Sequence, residues 1–476
     1  MSDGLEITRA ALAGRPAWLV GGAVRDRALG RPLTDFDLVV DGDPEQAARA
    51  IARAAGRAAC FALSEDFGAW RVVARDGAWQ ADLERLRGGS LRADLELRDF
   101  TINAIAEPLQ GGTSIDPLNG LEDLRAGRLR MAGSGAFAED PLRVMRLVRI
   151  AVELGLEPDE RTARAARAQA GGLGRVSAER VFIELCRTLA SPRARRGIEL
   201  LDALGAIVVV LPELAALQGI EQSRFHHLDV YGHTLEVLDR MIELQADPSA
   251  VFGEEHAVDL PMLLDEPLAN ELTRGEALRW GALLHDAAKP LTRGVRPEDG
   301  RVTFIGHDAR GAELARTVLG RLRASERLRA HVAALVRNHL RLGFLVHEPQ
   351  PLARRTVYTY LRACDPVQVD VTLLSVADRL ATRGDNAQRA IDAHMAVAQG
   401  MLRDALRWRA EGPPQPLVRG DELAAELGIA TGPLLGELLG ELAAAQYAGE
   451  IATREQALAH ARTWSAPSER TSTASS

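Results

Sequence analysis

Near residue 138 the hydrophobic pattern of this 476-residue chain changes period, and no single layer architecture accommodates both parts. Before it, short apolar runs at 18–20, 36–40 and 71–73 alternate with helical stretches such as 44–55, the pattern of strands backed by helices. After it, stretches such as "DPLRVMRLVRIAVEL" and "AERVFIELCRTLA" repeat apolar residues every three or four positions, as packed helices do. The expected class is α+β, with a strand-and-helix head over 1–133 followed by a mostly all-α body. Residues 246–277, rich in Pro, Asp and Glu without clean periodicity, read as a surface insertion. "EGPPQP" at 411–416 reads as a linker and 466–476 as a disordered tail.

Composition narrows the function classes. A chain of this length buries several cores without staples, and Cys60, Cys186 and Cys364 show neither an even count nor metal-type spacing. A reduced, cytoplasmic setting is expected. No secretory signal is visible and no apolar run approaches the roughly 18 residues of a membrane span, so no membrane partner is expected. A net charge of -8 argues against a chain coated with nucleic acid, yet the charge is uneven. Residues 141–200 carry 12 arginines against 7 acidic residues, while 201–300 carry 7 basic against 18 acidic. The first segment is either a solvated basic face or one that meets phosphates. Lys289 is the only lysine among 58 basic residues.

The stretch "WLVGGAVRDRALGRPLTDFDLVV" at 18–40 concentrates the chemistry. On a strand, Asp35 and Asp37 point to one face about 7 Å apart, a natural bridge for two divalent ions. Oxygen-rich sites of this kind hold magnesium, and a metal pair both activates an attacking hydroxyl and stabilises a leaving pyrophosphate. Gly21 and Gly22 allow a tight turn with exposed N–H groups entering a helix, where phosphate is favoured, and Arg25 lies one turn further on.

This stretch resembles the signature of the class II tRNA nucleotidyltransferase and bacterial poly(A) polymerase family, a branch of the polymerase β-like nucleotidyltransferases. "RDFTINAIA" at 98–106, "DPLNGLEDL" at 116–124, "EDPLRVMRLVR" at 139–149 and "RVSAERVFIEL" at 175–185 follow in the family's order, covering about the first 215 residues. The resemblance implies a polymerase β-like head with a small mixed sheet that adds nucleotides to RNA 3′ ends from CTP or ATP with Mg2+. It implies Asp35 and Asp37 as metal ligands, and Gly22, Arg25 and Arg98 as contacts to the nucleotide. Asp82, in "WQADLERLR", is the candidate third carboxylate, with Glu84 facing the same side. The family usually shows two arginines before the aspartate of "RDFTINA"; here Leu97 precedes Arg98.

In "EDPLRVMRLVR", Asp140, Arg143, Arg146 and Arg149 recur every three residues and are expected to form a slowly rotating ridge along one helix side. The resemblance makes Asp140 and Arg143 a protein template for the base and counts Arg146 and Arg149 with them among the nucleotide contacts. A carboxylate accepts from the amino group of cytosine or adenine and a guanidinium donates to the adjacent ring acceptor, whereas uracil and guanine set an oxygen against the carboxylate.

The helical body carries His233, the set His285, Asp286 and Lys289 in "LLHDAAKP", His307, His339 and Asp378, each in an apolar helical run. The series resembles the HD superfamily of metal phosphohydrolases. The resemblance implies His233, His285, Asp286 and Asp378 as ligands of a transition metal such as Ni2+, Mn2+ or Zn2+, His307 and His339 as holders of a second ion, and Lys289 as a contact for substrate phosphate. Residues 416–458, "PLVRGDELAAELGIATGPLLGELLGEL" through "GEIATREQAL", resemble the tail of HD-containing tRNA nucleotidyltransferases. The expected division is a catalytic head at 1–133, a nucleotide-selecting and RNA-binding neck at 134–222, an HD-type domain at 223–395 and a tRNA-contacting unit at 396–465. The expected function is template-independent building or repair of the tRNA CCA end, with a second phosphohydrolase site. The same motifs fit a CC-adding enzyme, an A-adding enzyme or a poly(A) polymerase, and the rival of another class is a metal phosphohydrolase whose head only binds RNA. No motif speaks to oligomeric state.

Overall fold

The computed structural model describes residues 3–64, 68–222, 228–383 and 387–464, so the expected tail at 466–476 lies outside the described residues. The chain divides into two compact units, Met1–Pro212 and Glu213–Ser476.

The first unit is built on six strands: β1 (Ala17–Val20), β2 (Asp35–Val40), β3 (Ala59–Ser64), β4 (Ala69–Val73), β5 (Gln80–Arg85) and β6 (Ala106–Pro108). They form one sheet in the order β3-β4-β5-β2-β1-β6. Only β2 and β5 run parallel, which makes the sheet mixed and requires a crossover between them. That crossover holds the helix Pro44–Ala54, started by the Asp43 carboxylate accepting from Glu45 N–H and by proline at the first turn, followed by the β3–β4 hairpin. Its Ala47, Ala48, Ile51 and Ala52 pack on Leu19, Phe36, Leu38, Val40, Val72 and Leu83, one face of the sheet. Strand alternation sends Asp35 and Asp37 to the other face, where Val20 and Val39 meet Leu95 and Ala104 in a second, smaller core.

The segment from Arg98 to Asn103 crosses this second face and is braced from below. Thr101 Oγ1 donates to the buried Asp123 carboxylate at 2.7 Å, which also takes Arg130, and Asp116 accepts from the N–H groups of Gly120 and Leu121. A Cβ on Gly120 would lie 2.0 Å from the Thr101 carbonyl oxygen, so only glycine lets the two backbones touch. The stretch "DPLNGLEDL" is therefore a brace for "RDFTINA".

Beyond the head, the helix Arg143–Leu154 packs its apolar face against the helices Ala178–Ala190 and Ala194–Ala203. The expected ridge does not form: Asp140 precedes this helix in an extended conformation, and each of the four ridge residues turns to a different partner.

In the second unit, the helices Val230–Ala246, Arg274–Leu284, Glu326–Asn338 and Gln368–Ala381 pack together. Residues 246–277 are not a surface insertion. Phe252, Leu260, Leu263 and Leu264 from the short helices Ser249–Phe252 and Asp259–Leu264 enter the main core beside Met241, Leu278 and Trp408. Their elements are too short for a helical period to show. A helix spanning Ala387–Glu411 runs through residue 395, and beyond it Val418, Leu423, Leu435, Leu438 and Leu442 build a separate small core. The "EGPPQP" stretch begins in the last residue of that helix and leaves it without regular structure.

Candidate active and metal sites

Lateral register assembles the head site. Asp37 sits opposite Asp82 in the parallel β2–β5 pair, and Asp82 sits opposite Arg71 in the antiparallel β4–β5 pair. Cross-strand neighbours share a face, so Asp35, Asp37, Asp82, Glu84 and Arg71 all point to one side. The Arg71 guanidinium grips Asp82 through two hydrogen bonds of 2.7 Å. Gly21, at φ 66°, closes the near edge, and a Cβ there would lie 3.0 Å from Arg98 Nη1 and 3.5 Å from Asp37 Oδ2. The glycine turn, Arg98 and Asp37 are thus mutual neighbours.

Crowding by surrounding protein, together with Asp82 and Glu84, pushes the Asp37 carboxyl up to about 6, against the pull of Arg98. The side chain still opens to water. A raised carboxyl among carboxylates is the chemistry of a site short of positive charge, and the donor set is all oxygen, which fits a hard divalent cation.

Behind the carboxylates runs a polar chain that sequence reasoning did not find. Arg25 donates to Asp26 and, at 2.7 Å, to Asn103 Oδ1; Asn103 donates to Asp99; and Arg146 holds Asp99 through bonds of 2.8 and 2.6 Å. Burial raises Asp99, but Arg146 and the hydrogen bonds overcome it and hold its carboxyl at about 2. Arg98 rests on the buried Asp94, which also takes Arg87.

The other expected nucleotide contacts separate. Asp140 accepts from Arg180 at 2.7 Å and from Leu142 N–H. Arg143 donates to the carbonyls of Leu97 and Ala136 and toward Glu139. Arg149 is buried between Glu184 at 2.6 Å and Glu153 at 2.7 Å, within the helical packing.

The second unit brings together every expected HD residue. His233 lies on the helix Val230–Ala246, while His285 and Asp286 follow the end of Arg274–Leu284. His307 opens His307–Arg321, His339 follows Glu326–Asn338, and Asp378 lies on Gln368–Ala381. His233 Nε2 stands 3.0 Å from Asp378 and 3.8 Å from Asp286, His285 Nε2 3.1 Å and His307 Nε2 3.3 Å from Asp286. His233, His285 and Asp286 form one group with ligand atoms within 4.8 Å of one another, and Asp286, His307 and His339 form a second. Asp286 belongs to both.

Three of the rings are oriented alike. Nδ1 of His285, His307 and His339 meets the carbonyls of Ala282, Phe304 and Val336 at 2.8, 2.7 and 2.6 Å, which turns Nε2 inward. His285 Nε2 and His307 Nε2 are buried without hydrogen-bonding geometry although each faces Asp286, as ligands aimed at a common point are. This donor set fits a transition metal. Burial works against charge on Asp286, but His285 and Lys289 hold its carboxyl well below the usual range; Asp378 is lowered likewise by His233. Burial, with His285 nearby, lowers His339 to about 4 and keeps it neutral and ligand-ready. Lys289 Nζ lies 2.6 Å from Asp286 and from Gln222 Oε1. A cavity of about 380 Å3 opens from the cluster and adds Arg301, Arg379 and His394 to its lining, three residues that sequence reasoning missed.

Comparisons with known proteins give the family. Residues 17–130 match the family described as "Poly A polymerase head domain", 155–218 "Probable RNA and SrmB-binding site of polymerase A" and 230–383 "HD domain". An A-adding tRNA nucleotidyltransferase of Deinococcus radiodurans is 37% identical over 94% of this chain and 95% of its own. A CC-adding tRNA nucleotidyltransferase of Thermus thermophilus is 36% identical over 94% of each. The structure of a Thermotoga maritima CCA-adding enzyme complexed with tRNA shares the fold, with a TM-score of 0.62 at 19% identity over 97% of this chain and 96% of that one. Among the described residues no helix is long and apolar enough to cross a membrane. With full-length relatives above 30% identity and all three family regions in order, the chain belongs to the tRNA nucleotidyltransferase and poly(A) polymerase family of enzymes and carries an HD domain.

Proposed function

We propose that the protein adds C, A or both from CTP and ATP to the 3′ end of tRNA, in the cytoplasm and without a nucleic-acid template. The observation that carries this reading is the carboxylate face: Asp35 and Asp37 on β2 with Asp82 in register on β5, beside Arg98 and the Gly21–Gly22 turn. Asp35, Asp37 and Asp82 would hold Mg2+, which supplies charge stabilisation for the attacking hydroxyl and the leaving pyrophosphate. Gly21 and Gly22 leave room for phosphate oxygens, and Arg98 presents a guanidinium to them. Arg25 and Arg146 act through the Asn103 and Asp99 chain, setting the cleft's back wall. Asp140 and Arg143 select the base. The partners they now hold support this: Asp140 accepts from a guanidinium N–H as it would from an exocyclic amino group, and Arg143 donates to a carbonyl as it would to a ring acceptor. Arg149, held between Glu184 and Glu153, serves helix packing and not nucleotide contact.

The HD cluster is proposed as a separate hydrolytic site for 2′,3′-cyclic phosphodiesters or phosphomonoesters at RNA ends. His233, His285, Asp286 and Asp378, with His307 and His339, would hold Ni2+, Mn2+ or Zn2+, which lowers the pKa of bound water. Lys289 would meet the substrate phosphate. The division into head (1–133), neck (134–222), HD-type domain (223–395) and tRNA-contacting unit (396–465) is proposed as a functional one.

A narrower reading, addition of CC alone or of A alone, is favoured by the two relatives that span 94% of this chain, each named for one partial reaction. Incubating the protein with tRNAs that lack the whole CCA end, its last two nucleotides or its last nucleotide, with labelled CTP or ATP supplied singly, separates the cases. Incorporation from neither nucleotide, with intact HD phosphohydrolysis, would leave the head as an RNA-binding module.

A further inference from the structure

Arg71 is the cation that the expected catalytic set leaves out. It lies on β4, in lateral register with Asp82 of β5, which in turn lies in register with Asp37 of β2. One row across the sheet therefore reads guanidinium, carboxylate, carboxylate. The guanidinium takes both oxygens of Asp82, Nε to Oδ1 and Nη2 to Oδ2, each at 2.7 Å. Four carboxylates share this face, and Asp35 and Asp37 add to Asp82 in raising the Arg71 guanidinium. A carboxylate patch of this density repels itself unless a cation lies within it.

We infer that Arg71 is a built-in countercharge that occupies Asp82 while the head is free of metal and competes with a divalent cation for that carboxylate. The inference rests on the proposed use of Asp35, Asp37 and Asp82 as cation ligands. The planar fork fits the two oxygens from one side, so it both orients Asp82 and spends the charge a cation would use. Arg71 and Asp82 keep side-chain exposures of 30% and 26%, so the guanidinium has room to swing toward water without unpacking the sheet. Its role is positioning: it sets how tightly the head takes a cation, through Asp82 alone.

The test is Mg2+ titration of the full-length protein by calorimetry, alongside thermal unfolding with and without Mg2+. Arg71→Gln should bind Mg2+ more tightly, on the order of tenfold for a unit charge removed from a partly exposed site. Arg71→Lys, which keeps the charge and loses the two-pronged grip, should fall between Arg71→Gln and the wild type, and it ranks the effect if Arg71→Gln fails to fold. The stabilisation gained on adding Mg2+ should follow the same order. In an Asp82→Asn background the Arg71→Gln effect should vanish; any Mg2+ taken by the HD cluster is common to all variants and cancels. Unchanged or weaker Mg2+ binding in both Arg71 variants would overturn the inference and leave a cross-strand ion pair that only holds the sheet. Nucleotide incorporation by the wild type, measured in parallel, judges the proposed reaction separately, because the Mg2+ ranking stands or falls without it.

Discussion

Replacing Asp99 with asparagine should destabilise the first unit by an amount that depends on pH. Asp99 is buried, its carboxyl is held at about 2 rather than near 3.8, and Arg146 is the main cause that lowers it. A lowered folded-state value means stabilisation that is complete above the unfolded value and fades as pH falls through the folded one. At about 1.4 kcal/mol per unit, the difference is about 2.5 kcal/mol at neutral pH. The Arg146 side chain is 37% exposed, so solvent screening trims the expected loss to about 1.5–2 kcal/mol. For a unit of this size that lowers the unfolding midpoint by about 3–8 °C. Urea unfolding of wild type and Asp99→Asn, followed by circular dichroism at pH 7 and near pH 3, measures the gap at both. It should shrink by roughly half at the lower pH, where the unfolded carboxyl is already protonated. A gap that stays constant would mean that shape at position 99 matters and the Arg146 charge does not.

Three further outcomes are expected. Gly120→Ala, whose new methyl would lie 2.0 Å from the Thr101 carbonyl oxygen, should cost about 2–4 kcal/mol and lower nucleotide incorporation by shifting "RDFTINA"; a melting temperature within a degree of wild type would refute the brace. Arg143→Ala should raise misincorporation of UTP and GTP more than it weakens triphosphate binding, and an equal loss of affinity for all four nucleotides would make Arg143 a phosphate contact instead. Asp286→Ala, which removes the carboxylate shared by both histidine groups, should abolish phosphohydrolysis with Mn2+, Ni2+ or Zn2+ while CTP and ATP incorporation persists. Parallel loss of both activities would make the cluster structural.

Much of the site was legible because its residues lie close in sequence or carry rare spacing. A two-residue strand period places Asp35 and Asp37 on one face, and the order of the five motifs names the family. The histidine series fixed its own helices as inward-facing. What stayed hidden depends on contacts between distant segments. Arg71 sat inside an apolar run and gained meaning only from the β4–β5 register, which alternation alone cannot set. The every-third-residue pattern of Asp140 to Arg149 looked like one surface, but the helix begins after Asp140, and Glu184, from a helix some 35 residues on, draws Arg149 into the packing. Likewise the leucines of 246–277 are core residues carried on elements of one or two turns, too short to announce a period.

The central claim is that the β2 carboxylates carry nucleotidyl transfer. The most direct measurement is incorporation of labelled CTP and ATP into tRNA lacking its CCA end by wild type, Asp35→Ala and Asp37→Ala at equal folded concentration. Both side chains are exposed and neither packs in the core, so both variants should fold while incorporation falls by several orders of magnitude. Near-wild-type incorporation by either variant would contradict the account.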